Sequence, residues 1–355
     1  GQTMVFKNDS IENNLDEVII SGTKTIRVVS SLPLNASVIN KVEIEKTNAT
    51  RLSDVINEEL GLITVSDFGG AEGIQMQGLD SEYTLVLIDN QPLVGRLAGT
   101  LDLNRVSVGN IKQIEIVRGP SSSLYGNNAL AGVINIITDE PKEGFNVNVS
   151  SSYETHNTTD INISLSYKNK DFNGSVFFNK YSSDGYDLIE DDGLNTVNEF
   201  NNNTLQIKLG YDISKKFKVR INTRHFTQMI DNIAPNNLSG ETFTAEDNIN
   251  FTISHKSDKF KTDFEIYFTS YFGDEFLDDE LGNRFSESFY DHILLKPEIK
   301  TVYKIDNQKE FVFGLGNEYE TLNRTYFEIE PKQNSPFIYF QYDYNPNEKI
   351  NLILG

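Results

Sequence analysis

Residues able to do chemistry are sparse in this chain, and their spacing does not gather them. The four histidines, His156, His225, His255 and His292, are of the type that ligates haem iron or carries protons. They are scattered over separate segments and read as ordinary strand residues. The acidic runs "DGYDLIEDDG" (Asp184–Gly193) and "GDEFLDDELG" (Gly273–Gly282) hold carboxylates suited to calcium. Neither has EF-hand spacing, so solvated surface charge is the reading they support. Carboxylate pairs of the kind a glycan-active enzyme uses are present, with nothing to show them converging. "GLG" (Gly314–Gly316) lies inside an alternating segment with no helix after it, so it is no dinucleotide fingerprint. No catalytic residue is assigned. What remains is "VRGPSSSLYGNNALAGVINIIT" (Val117–Thr138), where an Arg-Gly-Pro turn, a serine run and a Tyr-Gly turn precede an apolar strand. It carries neither a phosphate cradle nor a nucleophile with its base.

Composition narrows the class. The 355 residues include no cysteine and no tryptophan, and 52 acidic against 31 basic residues give a net charge of −21. Such an acidic balance argues against nucleic acid, whose phosphates require clustered Lys and Arg. Zero cysteine excludes a disulfide framework and thiolate zinc sites. No apolar run reaches the roughly 18 residues of a membrane-spanning helix. A membrane barrel remains open, because its apolar residues alternate and keep mean hydropathy low. The start, "GQTMVF", lacks a basic-then-apolar leader, which leaves a cytoplasmic chain or one whose leader has been removed. The Asn-x-Ser/Thr matches follow from asparagine richness rather than glycosylation.

The elements that must position any site fall into two regimes. Gly1–Asn14 is polar and reads as a flexible end. "LDEVIISGTKT" (Leu15–Thr25) is an isolated β-prone stretch, either an edge strand or a peptide lent to a partner's sheet. From Ala36 to Pro141 the pattern is mixed α/β. Leu52, Val55, Ile56 and Leu60 recur at helical spacing, with Ser53 as N-cap and Gly61 as the stop. "GIQMQG", "YTLVLID" and "IKQIEIV" read as strands, the second closed by the turn Asp89–Pro92. These elements make a compact domain of about 100 residues.

After Lys142 strict alternation takes over. Phe260, Phe264, Ile266, Phe268 and Phe272 share one strand face; Lys261, Asp263, Glu265, Tyr267 and Tyr271 share the other. The same period recurs through Ile161–Tyr167, Leu205–Ile213, Ile249–Ile253, Phe311–Tyr319 and Ile338–Tyr344. These runs, about ten residues or longer, suit tilted strands crossing a bilayer. Connections alternate between short ones, such as Asn169–Asp171 and Ser214–Lys216, and long ones near Ser182–Asn198, Gln228–Asp247, Gly273–Phe285 and Thr321–Ser335. That rhythm is the mark of an outer-membrane barrel with its long loops outside. Tyr181, Phe272 and Tyr344 fit interfacial girdles. The count is about ten strands, with an eleventh starting at "KINLILG". An open edge is not tolerated in lipid, so the rest of the barrel is expected from further sequence or from a second chain.

At this point the chain resembles a TonB-dependent outer-membrane receptor of the siderophore, haem and cobalamin branch, over almost its whole length. "VLIDNQPL" (Val86–Leu93), Ile111–Thr138 and "LDEVIISG" (Leu15–Gly22) carry the resemblance. It implies a segment 1–35 bearing the TonB box, a mixed α/β plug over 36–141, and over 142–355 part of an antiparallel transmembrane barrel of about 22 strands. The TonB box would be Leu15, Asp16, Glu17, Val18, Ile19, Ile20, Ser21 and Gly22. Glu115, Arg118, Gly119, Pro120, Tyr125, Gly126 and Gly132 would be architectural plug residues, Pro120 and Gly119 making a sharp, stiff turn. Apical loops at Asp67–Glu72 and Gln91–Leu101 would meet ligand through Asp67, Phe68, Glu72, Gln91, Arg96 and Leu97. One departure stands out: "MQG" places Gln77 where the family has an Arg that joins a plug-to-barrel charge cluster. Arg118 remains, and its glutamate partners are expected beyond Gly355. The implied activity is uptake of a scarce nutrient, an iron chelate by default, with cobalamin and haem as alternatives and no intrinsic cofactor. The implied partners are TonB, outer-membrane lipid, and a surface lipoprotein or second chain. A non-transporting surface receptor or assembly component is the competing class.

Overall fold

In a computed structural model of the chain, residues 18–19, 27–28, 35–66, 72–97, 100–119, 125, 129–189, 194–306, 308–347 and 350–355 are described. Strands β1 (Val18–Ile19) and β2 (Arg27–Val28) form a small antiparallel pair. Then come β3 (Asn35–Asn40), α1 (Lys41–Thr47), α2 (Leu52–Asn57), β4 (Leu62–Ser66), β5 (Glu72–Met76), β6 (Thr84–Ile88), β7 (Gln91–Pro92), β8 (Arg96–Leu97), β9 (Thr100–Leu101), β10 (Ile111–Arg118) and β11 (Gly132–Thr138). Five of these make a mixed sheet in the order β3-β10-β11-β6-β7, with β11 and β6 parallel.

The central strands β10 and β11 are apolar runs because both of their faces are covered. Ile114, Ile116, Ile134 and Ile136 pack beneath α1 and α2 against Ile44, Leu52, Val55 and Ile56. Val117 and Val133 face the other way, into a cluster with Leu85, Leu87 and Ile19 of β1. The short helix α1 escapes the sequence pattern, but it is fixed by a capping box. Asn40 Oδ1 accepts from Glu43 N at 3.1 Å and Glu43 Oε2 from Asn40 N at 2.9 Å. The expected N-cap of α2, Ser53, is instead inside the helix and fully buried. Asp54 Oδ2 accepts from Thr50 N at 3.1 Å and Arg51 N at 3.0 Å, which does the capping and frees Ser53 Oγ to bond Asn104.

The second part is one antiparallel sheet of eleven strands, each paired with its sequence neighbour. These are β12 (Gly144–Tyr153), β13 (Thr159–Lys168), β14 (Phe172–Ser183), β15 (Glu199–Asp212), β16 (Phe217–Ala234), β17 (Leu238–Lys256), β18 (Phe260–Asp278), β19 (Arg284–Lys304), β20 (Lys309–Arg324), β21 (Lys332–Asn347) and β22 (Ile350–Leu354). The count agrees with the expectation of ten strands and an eleventh, and the sheet is not closed. Its burial is inverted relative to a soluble sandwich. On β18 the apolar Phe264, Ile266 and Phe272 are exposed, while Asp263, Tyr267, Thr269 and Tyr271 are buried. The outer face is apolar for lipid, and the inner face is polar where it wraps the plug.

Two expectations are corrected. Three of the long loops are mostly strand: β16 runs 18 residues and β17 19, joined across residues 235–237, and β18 and β19 run 19 and 21. At about 3.4 Å per residue such strands measure roughly 60–70 Å, far more than a tilted crossing of about 30 Å of hydrocarbon needs. The polar composition that resembled loop belongs to hairpins standing clear of the membrane. Tyr181 is no girdle residue, because it faces inward, with the Arg51 guanidinium 4.0 Å over its ring.

Candidate functional site: the plug and barrel-wall interface

The plug is held to the wall by buried charge that the sequence did not flag. On β17 the inward-facing Glu246 offers one carboxylate oxygen, Oε2, to two guanidiniums, Arg105 of the plug and Arg224 of β16, each at 3.1 Å. All three side chains are almost wholly buried. Arg105 also donates to Val94 O at 3.0 Å and Asp102 O at 3.2 Å, and lies 4.7 Å above the Tyr271 ring. Arg224 in turn donates to Arg105 O at 2.7 Å. On the β13–β14 side Arg51 pairs with Asp160 and donates to Asn179 Oδ1 at 3.1 Å. Ion pairs this dry are worth little as net stability but are costly to break from one side, so they fix position.

A second contact is apolar. Residues 93–95, between β7 and β8, press Val94 into a hole formed by Tyr267, Tyr271, Tyr290 and Leu294. Gly95 has φ +84, and a Cβ there would come within 2.3 Å of the Tyr271 ring, so glycine is required for so close an approach. Its N–H donates to His292 Nδ1 at 3.4 Å, which leaves Nε2 to donate to Glu320 at 2.5 Å. His292, expected to be an ordinary strand residue, is thus a plug contact.

The residues anticipated from sequence distribute as follows. Arg118 forms no barrel contact among its described bonds: it pairs with Glu59 at 2.6 Å, Ser37 Oγ at 2.8 Å and Leu60 O at 3.1 Å, all inside the plug. The plug-to-wall charges come from Arg51, Arg105 and Asp89 instead, while Gln77 occupies a tight turn with φ +53. Glu115 is fully buried and accepts from Gln113 and Asn135. Gly119 ends β10 at φ +103. At Gly132 a Cβ would lie 2.2 Å from Val117 O, so the β10–β11 pair closes only around glycine. Tyr125 packs against the Ile19 cluster.

Of the apical set, Gln91 faces the wall and donates to Glu265 at 3.1 Å. Arg96 donates to Ser81 O at 2.8 Å and Thr84 O at 2.7 Å; burial, then the neighbouring Arg105, lowers its guanidinium to about 10, so it stays charged. Glu72 starts β5 opposite Ser66 and Leu97 lies on β8. Asp67, Phe68, Pro120 and Gly126 lie outside the described residues, as do Leu15, Asp16, Glu17, Ile20, Ser21 and Gly22. Of the anticipated coupling peptide, Val18 and Ile19 form β1, and the Ile19 side chain is buried against the plug sheet. Among the described residues no group of three or more acidic or histidine side chains gathers to hold a metal. The run expected at Gly273–Gly282 lies mostly on β18, and residues 190–193 of the other run are outside the description.

A mixed α/β domain seated by buried ion pairs against an inverted antiparallel sheet defines a plugged outer-membrane barrel wall. Residues 28–133 match the family described as TonB-dependent Receptor Plug Domain. The chain therefore carries a plug domain of this family, followed by an open antiparallel sheet of eleven strands. Receptors with this plug domain lie in the Gram-negative outer membrane and interact with TonB. The chain is similar to the vitamin B12 transporter BtuB of Vibrio vulnificus (strain CMCP6), at 31% identity over 159 residues, 43% of this chain and 26% of the relative. In fold it matches the ferric enterobactin receptor PfeA of Pseudomonas aeruginosa, with TM-score 0.73 at 14% identity over 95% of this chain and 58% of that one. The siderophore receptor PirA of Acinetobacter baumannii also gives 0.73, at 16% identity over 89% and 55%. The chain therefore spans about a quarter of that curated relative and little more than half of these structures. The relatives are transporters and receptors rather than enzymes, in keeping with a chain to which no catalytic residue is assigned.

Proposed function

We propose that this chain serves TonB-driven import of a scarce nutrient across the outer membrane, with an iron chelate as cargo. The observation that carries the reading is β1: Val18 and Ile19, within the segment that resembles a TonB box, lie paired with β2, and the Ile19 side chain packs on the plug core. Such a strand at the margin of the plug can leave it and add to a partner's sheet edge. Pulling on it loads the plug sheet through Leu85, Val117 and Val133. A second reading, cobalamin as cargo, is favoured by the sequence identity to a vitamin B12 transporter. A net charge of −21 disfavours strongly anionic ferric catecholates under either reading.

The test uses Ile19→Pro, which removes a backbone donor needed for strand pairing. Cells bearing the full-length receptor are supplied with radiolabelled ferric siderophores or cyanocobalamin. The variant is expected to bind label at the surface as before and to accumulate none. Unchanged accumulation would rule out β1 as the coupling strand, and the label that accumulates in the parent identifies the cargo.

A further inference from the structure

We infer that the passage for cargo opens along the β12–β15 wall, through a cavity already present there, while the plug stays held at the β18–β20 wall. The inference rests on the uptake reading.

The two walls differ in what they turn inward. Register places Asn146, Ser166 and Ser175 in one inward row and Asn148, Ser164 and Phe177 in the next, small and polar except for Phe177. Between them and the plug lies a cavity of about 320 Å³. At about 30 Å³ per water molecule that is room for roughly ten waters, within the range of small-ligand sites. The β18–β19 wall instead turns in Tyr267, Tyr271, Tyr290 and Leu294, which close on Val94.

The contacts bounding the cavity are polar at both ends. Below it, Lys208 Nζ of β15 reaches Asp89 at 3.2 Å and Glu140 at 3.3 Å. Above it, Asn110 donates to Gln206 at 2.5 Å, Ser107 bonds Asn162 at 3.2 Å, and Arg51 pairs with Asp160. Water can replace each such bond as the plug moves away, whereas parting the Val94 clamp exposes aromatic surface with nothing to replace it. Displacement is therefore easier at the β12–β15 wall. A passage whose wall offers those Asn and Ser side chains, Gln206 and Lys208 beside the single ring of Phe177 suits a solute rich in hydrogen-bonding groups that also carries some apolar surface.

The chain has no cysteine, so introduced thiols report alone. In porin-deficient cells carrying the full-length receptor, fluorescein maleimide is applied from outside. Ser164→Cys is expected to react roughly tenfold faster once Asp160→Asn, or Arg51→Gln from the plug side, weakens the upper contacts. Thr269→Cys, buried on β18, is expected to stay unreactive when Glu320→Gln weakens the His292 contact of the β18–β20 wall. No acceleration at Ser164→Cys, or equal reaction at Thr269→Cys, would overturn the route. Neither cargo nor TonB takes part in this measurement, so it fails independently of the uptake reading, which Ile19→Pro tests.

Discussion

At the scale of single residues, buried charge does the positioning. Among the described residues, Glu246 Oε2 is ion-paired only through Arg105 and Arg224. Arg105→Gln leaves the pair unbalanced in a dry site and is expected to destabilise plug docking by about 3–5 kcal/mol. Limited proteolysis of the plug in detergent against urea would read this. Asp89 behaves differently. Burial works to raise its pKa, but Lys208 and the Thr138 hydroxyl and backbone N–H outweigh burial, and the carboxyl sits below its ordinary value. A carboxylate depressed in the folded state stabilises above its unfolded pKa of about 3.9, and that contribution fades as pH falls through the lower folded value. Asp89→Asn is therefore expected to lower plug stability at neutral pH and to flatten its loss below about pH 4. Denaturation midpoints across that range check the sign.

At the scale of elements, the segment between β7 and β8 approaches the wall closely. Gly95→Ala introduces a methyl at a left-handed φ and against the Tyr271 ring. It is expected to cost about 1–3 kcal/mol and to expose residues 93–95 to protease, with the barrel's own heat resistance unchanged. Strand β1 is the opposite case, since a two-residue ladder should protect few amides. Hydrogen exchange is expected to find Val18 and Ile19 opening far ahead of β10 and β11. Protection equal to that of β10 would argue against a detachable coupling strand.

At the scale of the whole molecule, the inverted sheet specifies a lipid environment. Ile266 lies six residues from the start of β18, about 20 Å along a tilted strand and near mid-depth of the hydrocarbon. Ile266→Lys is expected to destabilise folding into bilayers by about 2–4 kcal/mol. The inward neighbour Glu265 tolerates Gln with a far smaller effect. Heat-modifiable migration of the refolded full-length receptor measures both. The net charge of −21 adds no stability to the fold and keeps the extramembrane hairpins apart and soluble.

Sequence by itself determined what repeats locally. The alternation of Phe264, Ile266 and Phe272 with Asp263, Tyr267 and Tyr271 fixed which face meets lipid, because side-chain direction in a strand follows from spacing alone. The β-prone runs Ile111–Val117 and Val133–Thr138 likewise became β10 and β11 with little change of bounds. What only the tertiary structure decided was which inward groups meet which plug groups. Arg105 and Glu246 are 141 residues apart, and Arg51 and Asp160 109 apart. Nothing in local spacing marks Arg105 in "LDLNRVSV" as buried; the one signal was a carboxylate on an inward strand face that must find a cation once the lumen is filled. The long hairpins were misread for a related reason. Polar sequence above the membrane resembles loop, and only pairing with the next strand shows that it continues the ladder.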